Sequence, residues 1–249
     1  MLFYFVWTPW GKEPKDRYLW EVFPCCDGIL ISRGYVDSEL EESIVKHGGI
    51  GKFLRWNGPI IGDSGAWLYK NEDEPPYSVR ELLDYYVRLK IPIGAHLDHA
   101  IFKTIRVNGV KRELTLEEKK RRWRINIENA RETIELLNKE RYNGLKIIGV
   151  VQGWDLDSYR KAARELLKMG YDYLGIGGIA RRPTSQLMEI VEVVNKEIDK
   201  LPEKRRRNIK IHLFGFARLH IIPKLMKMRV VSFDTAAPLR QAWESGEHN

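Results

Sequence analysis

Aspartates that directly follow short apolar runs are the residues of this sequence best placed to do chemistry. Asp63, Asp98 and Asp234 each stand at the end of such a run, and Asp63 opens the turn-forming segment Asp63-Ser64-Gly65. A carboxylate at the carboxyl end of a buried strand can accept N–H groups, transfer a proton or attack a carbon atom. Asp63 alone could equally cap a turn or a helix. The recurrence of the pattern favours a site.

An amide and several glycines occupy the same position after other apolar runs. Apolar runs precede Gln152, the pair Gly177 and Gly178, and Gly215. A glutamine amide donates and accepts hydrogen bonds, and glycine lets the backbone approach a planar ligand closely. With the three aspartates, these residues would suit recognition of a flat polar ligand, provided that the fold brings the ends of the runs together.

The apolar runs predict eight β-strands, and the segments between them carry helix signals. The strands are expected at residues 2–8, 28–32, 59–62, 91–97, 146–151, 173–176, 209–214 and 230–233. The helices are expected at residues 38–47 with Ser38 as N-cap, 78–89 with a capping box of Ser78 and Glu81, 114–141 with Thr115 as N-cap, 155–169 ended by Gly170, 184–200, and a last one ending at Met228.

Nearly continuous apolar strands separated by helices predict an α/β fold with parallel strands. The expected architecture is a single parallel (β/α)8 TIM-like barrel, forming one domain over residues 1–249. A doubly wound open sheet is the alternative, because eight strands do not prove closure. In a barrel the carboxyl ends of all strands meet on one face, where active sites are built. The polar residues described above are therefore expected to form one site.

Composition limits the partners, the cysteine-based sites and the cellular location that the sequence allows. The excess of 42 basic over 34 acidic residues gives a net charge of +8, which favours a polyanionic partner. The two cysteines, Cys25 and Cys26, are adjacent and too few for a disulfide framework or a cysteine-based zinc site. No apolar run approaches the length of a membrane span, and the first ten residues lack the features of a signal peptide. We expect a cytoplasmic protein that does not contact a membrane.

Short segments in this order along the chain resemble the motifs of the tRNA-guanine transglycosylases and their DNA-modifying relatives. They are Asp63-Ser64-Gly65-Ala66-Trp67, Asp98, Val151-Gln152-Gly153, Gly177-Gly178-Ile179-Ala180, His212-Leu213-Phe214-Gly215, and Phe233-Asp234 followed by Pro238-Leu239-Arg240. The resemblance runs from about residue 60 to residue 241, which is most of the chain. It implies an enzyme that exchanges guanine in nucleic acid for a free 7-deazaguanine base similar to preQ0, without a cofactor.

The resemblance also implies a role for each matched residue. Asp234 would be the nucleophile and Asp63 the general acid/base. Asp98 would hold the donor edge of the guanine, while Trp67 and Phe214 would stack on its two faces. The remaining base-binding residues would be Gln152, Gly177, Gly178 and Gly215. The residue types suit the ligand, because guanine presents two N–H donors on one edge and a carbonyl oxygen beside them.

Departures from the family pattern bear on the substrate. Family enzymes usually carry a zinc site of three cysteines and one histidine after the nucleophile, and no cysteine follows Asp234 here. No metal is therefore expected. Ala66 and Leu68 also replace residues common in the motif. DNA is the preferred substrate and tRNA the alternative. A non-catalytic nucleic-acid-binding partner subunit and an unrelated barrel that hydrolyses nucleosides are further alternatives, and the oligomeric state stays open.

Basic residues near the expected active face are candidates for contact with nucleic acid. An Asn-Gly turn predicts a hairpin that carries Arg106, Lys111 and Arg112. Arg181, Arg182 and Arg240 complete the candidate set. The basic run at 204–207 precedes a strand, so we expect it at the opposite end of the barrel. His96 and His99 flank Asp98 and could hold a metal, but packing and hydrogen bonding are the favoured interpretation.

Overall fold

Ten strands are assigned in the computed structural model, which describes residues 1–8, 17–22 and 25–237. They are β1 Leu2–Trp7, β2 Gly28–Ser32, β3 Ile60–Asp63, β4 Ile93–Ala95, β5 Thr104–Val107, β6 Val110–Glu113, β7 Lys146–Val151, β8 Tyr173–Ile176, β9 Lys210–Leu213 and β10 Val230–Thr235. Eight of them form a closed parallel barrel in the order β1-β10-β9-β8-β7-β4-β3-β2. The closed barrel confirms the predicted fold class and excludes the open sheet.

Helices separate the barrel strands, as the sequence predicts. Those of the described residues are α1 Leu19–Val22, α2 Ser38–Lys46, α3 Ile50–Phe53, α4 Val79–Arg88, α5 Leu116–Leu137, α6 Leu156–Met169, α7 Thr184–Asp199, α8 Glu203–Arg206 and α9 Ile222–Met226. None of them is long and apolar enough to cross a membrane. The short helices α1 and α3 lie between barrel strands and carry too few residues to show a helical period.

Local capping rules explain where the long helices begin and end. Ser78 and Thr115 each close a capping box with the glutamate three residues later. Gly170 ends α6 with φ +103°, a left-handed conformation that favours glycine. The prediction for α2 was wrong in one detail: Ser38 is its first residue, and Asp37 is the N-cap that accepts a hydrogen bond from the Leu40 amide at 2.8 Å.

Tyr86 of α4 connects the outer helical layer to β3, which ends at Asp63, and to β4, which precedes Asp98. Its hydroxyl donates to the carbonyl oxygens of Gly62 at 3.2 Å and of Ala95 at 2.9 Å. A Cβ atom at Gly62 or Gly94 would lie 2.4 or 2.3 Å from the tyrosine ring. Glycine is therefore required at both positions for α4 to pack this closely, and the packing fixes the ends of β3 and β4.

Strand boundaries differ from the predicted ones where the active face begins. β4 ends at Ala95 rather than at residue 97, so Asp98 lies three residues beyond the strand. Conversely, β3 includes Asp63, and β10 extends through Asp234 to Thr235. A strand ends where its backbone stops hydrogen bonding to the neighbouring strand. Buried apolar residues such as Leu97 continue beyond that point, so an apolar run overestimates the length of the strand.

Candidate active site

The three aspartates named from the sequence meet at the carboxyl-terminal face of the barrel. Asp63 is the last residue of β3, Asp98 follows β4, and Asp234 lies near the end of β10. The carboxylates of Asp98 and Asp234 both raise the pKa of Asp63 by charge repulsion, so all three are close enough to interact electrostatically. Three carboxylates from three different strands therefore share one small region of low dielectric.

Asp63 titrates near neutral pH. Burial is the largest cause, and with the charges of Asp98 and Asp234 it raises the pKa of Asp63 from its usual value near 3.8 to about 7. The Gly65 amide donates to Asp63 Oδ2 at 3.0 Å and opposes this rise only in part, together with Ser32. A carboxyl group with such a pKa can both donate and accept a proton at neutral pH, as a general acid/base must.

Asp98 is held by donors on both of its oxygens. Ser64 Oγ donates to Oδ1 at 2.7 Å, and Gln152 Nε2 donates to Oδ2 at 2.9 Å. Tyr69 supports the arrangement, because its hydroxyl lies 2.6 Å from the Asp98 carbonyl oxygen and 3.0 Å from Ser64 Oγ. Burial raises the pKa of Asp98, and the hydrogen bonds from Ser64 and Gln152 oppose the rise. The side chain is thus fixed in orientation at the floor of the site.

Gln152 has a side-chain oxygen that accepts no hydrogen bond from any described residue. Its Oε1 atom is buried and makes no hydrogen bond within the described part of the chain. Gly177 and Gly178 lie against the same amide: a Cβ atom at Gly177 would be 2.5 Å from Gln152 Nε2, and one at Gly178 would be 3.0 Å from Oε1. Gly178 also has φ +70°. These glycines leave the space beside the amide open, where a ligand donor could reach Oε1.

Asp234 accepts its hydrogen bonds on one oxygen. The Gly215 amide donates to Oδ1 at 3.1 Å, and His212 Nε2 lies 3.0 Å from the same atom. Gly215 has φ +66°, a conformation that aims its N–H back at the carboxylate. Among the described residues both bonds end on Oδ1, which leaves Oδ2 available to react.

Trp67 and Phe214 occupy different levels of the barrel. Trp67 is 40% exposed at the mouth, where it meets Phe102 edge-on at 5.3 Å. The Lys70 ammonium and the Arg181 guanidinium lie 4.7 and 5.1 Å from its ring centroid, as cation–π contacts. Phe214 lies lower, packed at the barrel interior. The structure therefore places Trp67 at the exposed mouth and Phe214 against the interior of the barrel, beside His212.

Some of the basic residues named from the sequence are exposed, and others are held by neighbouring groups. The predicted hairpin is present as β5 and β6, with Asn108 and Gly109 in left-handed conformations at its turn. Arg106 and Lys111 are exposed on it, whereas Arg112 forms two hydrogen bonds with Glu118, at 2.9 and 2.6 Å.

Of the pair after the glycines, Arg181 contacts Trp67 at the mouth, while Arg182 is bound by backbone carbonyls of its own loop and of the loop after β7. Arg182 Nε donates to the Gly178 carbonyl at 3.1 Å, and its Nη2 donates to that of Gly153 at 3.3 Å. Arg240 lies outside the described residues, together with Pro238 and Leu239 of the last motif.

The histidines beside Asp98 have structural partners. His96 Nδ1 accepts a hydrogen bond from the Val150 amide at 2.8 Å, and His99 Nε2 lies 3.0 Å from the Glu72 carbonyl oxygen. Burial lowers the pKa of both to about 4. Within the described residues there is no group of three or more His, Cys, Asp or Glu side chains that could hold a metal ion.

Comparison with known protein families decides the relationship. The family model described as queuine tRNA-ribosyltransferase matches residues 28–245, which include β2 to β10. The chain belongs to this family. The three aspartates, the glutamine amide and the glycines described above all lie within the matched segment.

Members of the queuine tRNA-ribosyltransferase family with different described activities are similar to the chain. A DNA-guanine transglycosylase of Salmonella montevideo is 30% identical over 96% of this chain and 58% of its own length. A tRNA-guanine(15) transglycosylase of Methanobrevibacter smithii is 29% identical over 84% of this chain and 30% of its own length. A queuine tRNA-ribosyltransferase of Acinetobacter baumannii is 26% identical over 81% of this chain and 55% of its own length. The chain thus spans less than two thirds of these relatives.

Arg122 is a residue of the site that sequence reasoning missed. It belongs to α5 and is only 3% exposed. Its Nη1 donates to the carbonyl oxygens of Lys70 at 2.8 Å and Ala100 at 2.9 Å, and its Nη2 donates to that of Glu72 at 2.9 Å. One guanidinium therefore joins the loop of Trp67 to the loop after Asp98. In the sequence it stands within the basic run at residues 119–124, which suggests contact with nucleic acid rather than a buried role.

Proposed function

We propose that this protein exchanges guanine in a nucleic acid for a free 7-deazaguanine base similar to preQ0, with DNA preferred over tRNA. The observation that carries the proposal is the pKa of about 7 for Asp63, raised by burial and by Asp98 and Asp234. One carboxyl group that can transfer a proton near neutral pH and a second that can attack carbon are what a retaining exchange at a sugar carbon requires. A cytoplasmic location is part of the proposal.

The exchange proceeds in two displacements at C1′ of the target nucleotide. Asp234 Oδ2 attacks C1′, the bond between C1′ and guanine breaks, and protonated Asp63 delivers its proton to the departing base. The product is an ester between Asp234 and the sugar. Asp63, now ionised, removes a proton from the incoming base, which attacks C1′ and releases the Asp234 carboxylate. Proton and electron pairs balance over the cycle, and the configuration at C1′ is retained.

Base recognition falls to the groups around Asp98. A guanine edge carries two N–H donors, and Asp98 is a fixed acceptor next to the unsatisfied Gln152 Oε1. Gly177 and Gly178 border the same space, and contact of Gly215 with the base stays a prediction from the sequence. Phe214 would form the lower wall and Trp67 the upper one. A base stacked on Trp67 would compete with Lys70 and Arg181 for the ring, so we expect a cation to move to the nucleic acid on binding.

Preference for DNA is supported by the relative of Salmonella montevideo, which matches 96% of the chain. Contact with the polymer is assigned first to Arg106, Lys111 and Arg181, which are exposed around the mouth. Arg112 and Arg182 are weaker candidates, because Glu118 and backbone carbonyls already engage them. The assignment of Arg240 stays a prediction from the sequence.

The deciding experiment incubates the protein with radiolabelled guanine or preQ0 and either duplex DNA or tRNA. Label in DNA alone is the expected result, and label in tRNA alone would transfer the proposal to the tRNA branch of the family. Asp63→Asn and Asp234→Asn should abolish labelling, whereas Asp172→Asn should not. Asp172 is an exposed matched control that precedes β8, at the opposite end of the barrel. Release of free base without incorporation would instead identify a hydrolase.

A covalent adduct provides a second test of the same chemistry. Without an incoming base, the protein should form a protein–DNA species that survives denaturant and migrates slowly in a gel. Asp234→Asn should lose the adduct and still bind DNA. If Asp234→Asn retains exchange, the assignment of the nucleophile is wrong. If DNA and tRNA are both bound but never labelled by the wild-type protein, the chain is a binding subunit.

A further inference from the structure

His212 lies inside the barrel next to Asp234, and its side chain is 0% exposed. It stands on β9 directly opposite Ser232 on β10, and Asp234 follows two residues later on β10. Residues i and i+2 of a strand face the same side of a sheet. Ser232 and Asp234 therefore both point at the imidazole, which lies between a hydroxyl and a carboxylate because of the strand register.

Three hydrogen bonds connect Tyr173 to Asp234 through this imidazole. Tyr173 Oη lies 2.6 Å from Ser232 Oγ, Ser232 Oγ lies 2.8 Å from His212 Nδ1, and His212 Nε2 lies 3.0 Å from Asp234 Oδ1. An ionised carboxylate only accepts, so Nε2 must carry the proton. Nδ1 then accepts from the Ser232 hydroxyl, and Ser232 Oγ accepts from Tyr173. Burial raises the pKa of Tyr173, which keeps the phenol protonated as the first donor.

We infer that His212 is a positioning residue for the nucleophile, held in the Nε2–H tautomer by Ser232 and Tyr173. The inference rests on the proposed function, in which Asp234 attacks C1′. His212 and the Gly215 amide fix Oδ1, at 3.0 and 3.1 Å, and so aim Oδ2 at the substrate. His212 exchanges no proton with substrate in this scheme.

The surroundings of His212 explain why its tautomer must be fixed. The centroids of the Phe214 and Tyr4 rings lie 4.6 and 5.9 Å from that of the imidazole, so the ring packs among aromatic side chains, and Ser232 and Asp234 are the hydrogen-bond partners of its two nitrogens. A doubly protonated imidazole would pair with Asp234 as an ion and weaken it as a nucleophile. If only Nδ1 carried a proton, Nε2 would present its lone pair to the carboxylate and could not donate a hydrogen bond to it. The Ser232 hydroxyl, by donating to Nδ1, opposes both states.

Substitution of Ser232 tests the inference with little change of volume. Ser232→Ala should slow adduct formation in single-turnover experiments by about 2- to 10-fold, the ratio that corresponds to loss of one hydrogen bond between uncharged groups. Its affinity for DNA should not change. Ser232→Thr, which keeps the hydroxyl, should restore the rate, and Tyr173→Phe should lower it less. Thr133→Ala, which removes a buried hydroxyl from α5, is the matched control.

The tautomer is read directly by nitrogen NMR of protein with ¹⁵N-labelled imidazoles. The chain has six histidines, and His212→Gln identifies the signals that belong to His212. We expect a protonated Nε2 and a bare Nδ1 in the wild-type protein. A proton on Nδ1 instead, or a folded Ser232→Ala protein that forms adduct at the wild-type rate, would overturn the inference. If Ser232→Ala does not fold, Tyr173→Phe and the wild-type tautomer still decide it. Exchange activity in Asp234→Asn would refute the proposed function while leaving the tautomer result intact.

Discussion

Replacement of Asp63 by asparagine should remove activity and, above pH 7, stabilise the fold. The pKa of Asp63 is raised from 3.8 to about 7, so the folded protein holds this proton more tightly than the unfolded chain does. Stability is therefore lost as pH rises from about 4 through 7. At about 1.36 kcal/mol per pH unit, the loss levels off near 4 kcal/mol above pH 7. Asparagine is never ionised and avoids the whole cost.

Urea denaturation of both proteins at pH 4, 5.5 and 8 measures the difference in the free energy of unfolding. Asp63→Asn and wild type should be nearly equal at pH 4, and the variant should be more stable by about 1.5–2.5 kcal/mol at pH 5.5 and about 4 kcal/mol at pH 8. Asp172→Asn should show no such trend. A difference that stays constant over the three pH values would refute the argument, because it would mean that Asp63 ionises without penalty.

Three further substitutions test the other parts of the site. Asp98→Asn should weaken binding of free guanine at least about tenfold, because an amide replaces an acceptor of the base N–H groups. Calorimetry measures this affinity, and an affinity equal to that of the wild type would mean that Asp98 does not bind the base. Gly177→Ala, whose Cβ would lie 2.5 Å from Gln152 Nε2, should weaken base binding similarly but leave thermal stability almost unchanged, unlike a general packing defect. Joint replacement of Arg106 and Lys111 by alanine should lower the salt dependence of DNA binding by up to about two units of slope, and an unaltered slope would make the hairpin an ordinary surface feature.

The outline of the fold followed from patterns that a linear sequence carries well. Fully buried parallel strands give uninterrupted apolar runs, and helix caps such as Ser78 give local signals. The positions of Asp63 and Asp98 at the active face followed from the same reasoning, since strand ends converge once the barrel is closed. The two carboxylates lie close enough to raise the pKa of Asp63 only because the barrel closes. Closure was predicted from the sequence, but eight strands alone did not prove it.

The interior of the barrel was not predictable in the same way. In a strand buried on both faces, alternation does not tell which side chains point inward, so Ser232 and Tyr173 gave no signal. Their meeting with His212 depends on the register of β8, β9 and β10. The partner of Arg112 was missed for a related reason: Glu118 is also the N3 residue of the α5 capping box, and a carboxylate can serve both purposes.

The strand that bears Asp234 is also the strand that closes the barrel. β10 pairs with β1, and Tyr4 stands opposite Asp234 in that register. The proposed nucleophile is thus supported by a contact between two segments separated by most of the chain, and loop-closure entropy makes such a contact one of the last to form.

Catalytic competence should consequently arrive late during synthesis. The residues proposed to hold the base, Asp98, Gln152 and Gly177, precede β9 and β10, whereas the carboxylate proposed to attack C1′ stands on β10 beside β1. A chain that has not yet added β10 contains the residues proposed for recognition but lacks the proposed nucleophile. In the proposed mechanism such a chain cannot form the covalent adduct, so a partly made protein is not trapped on nucleic acid.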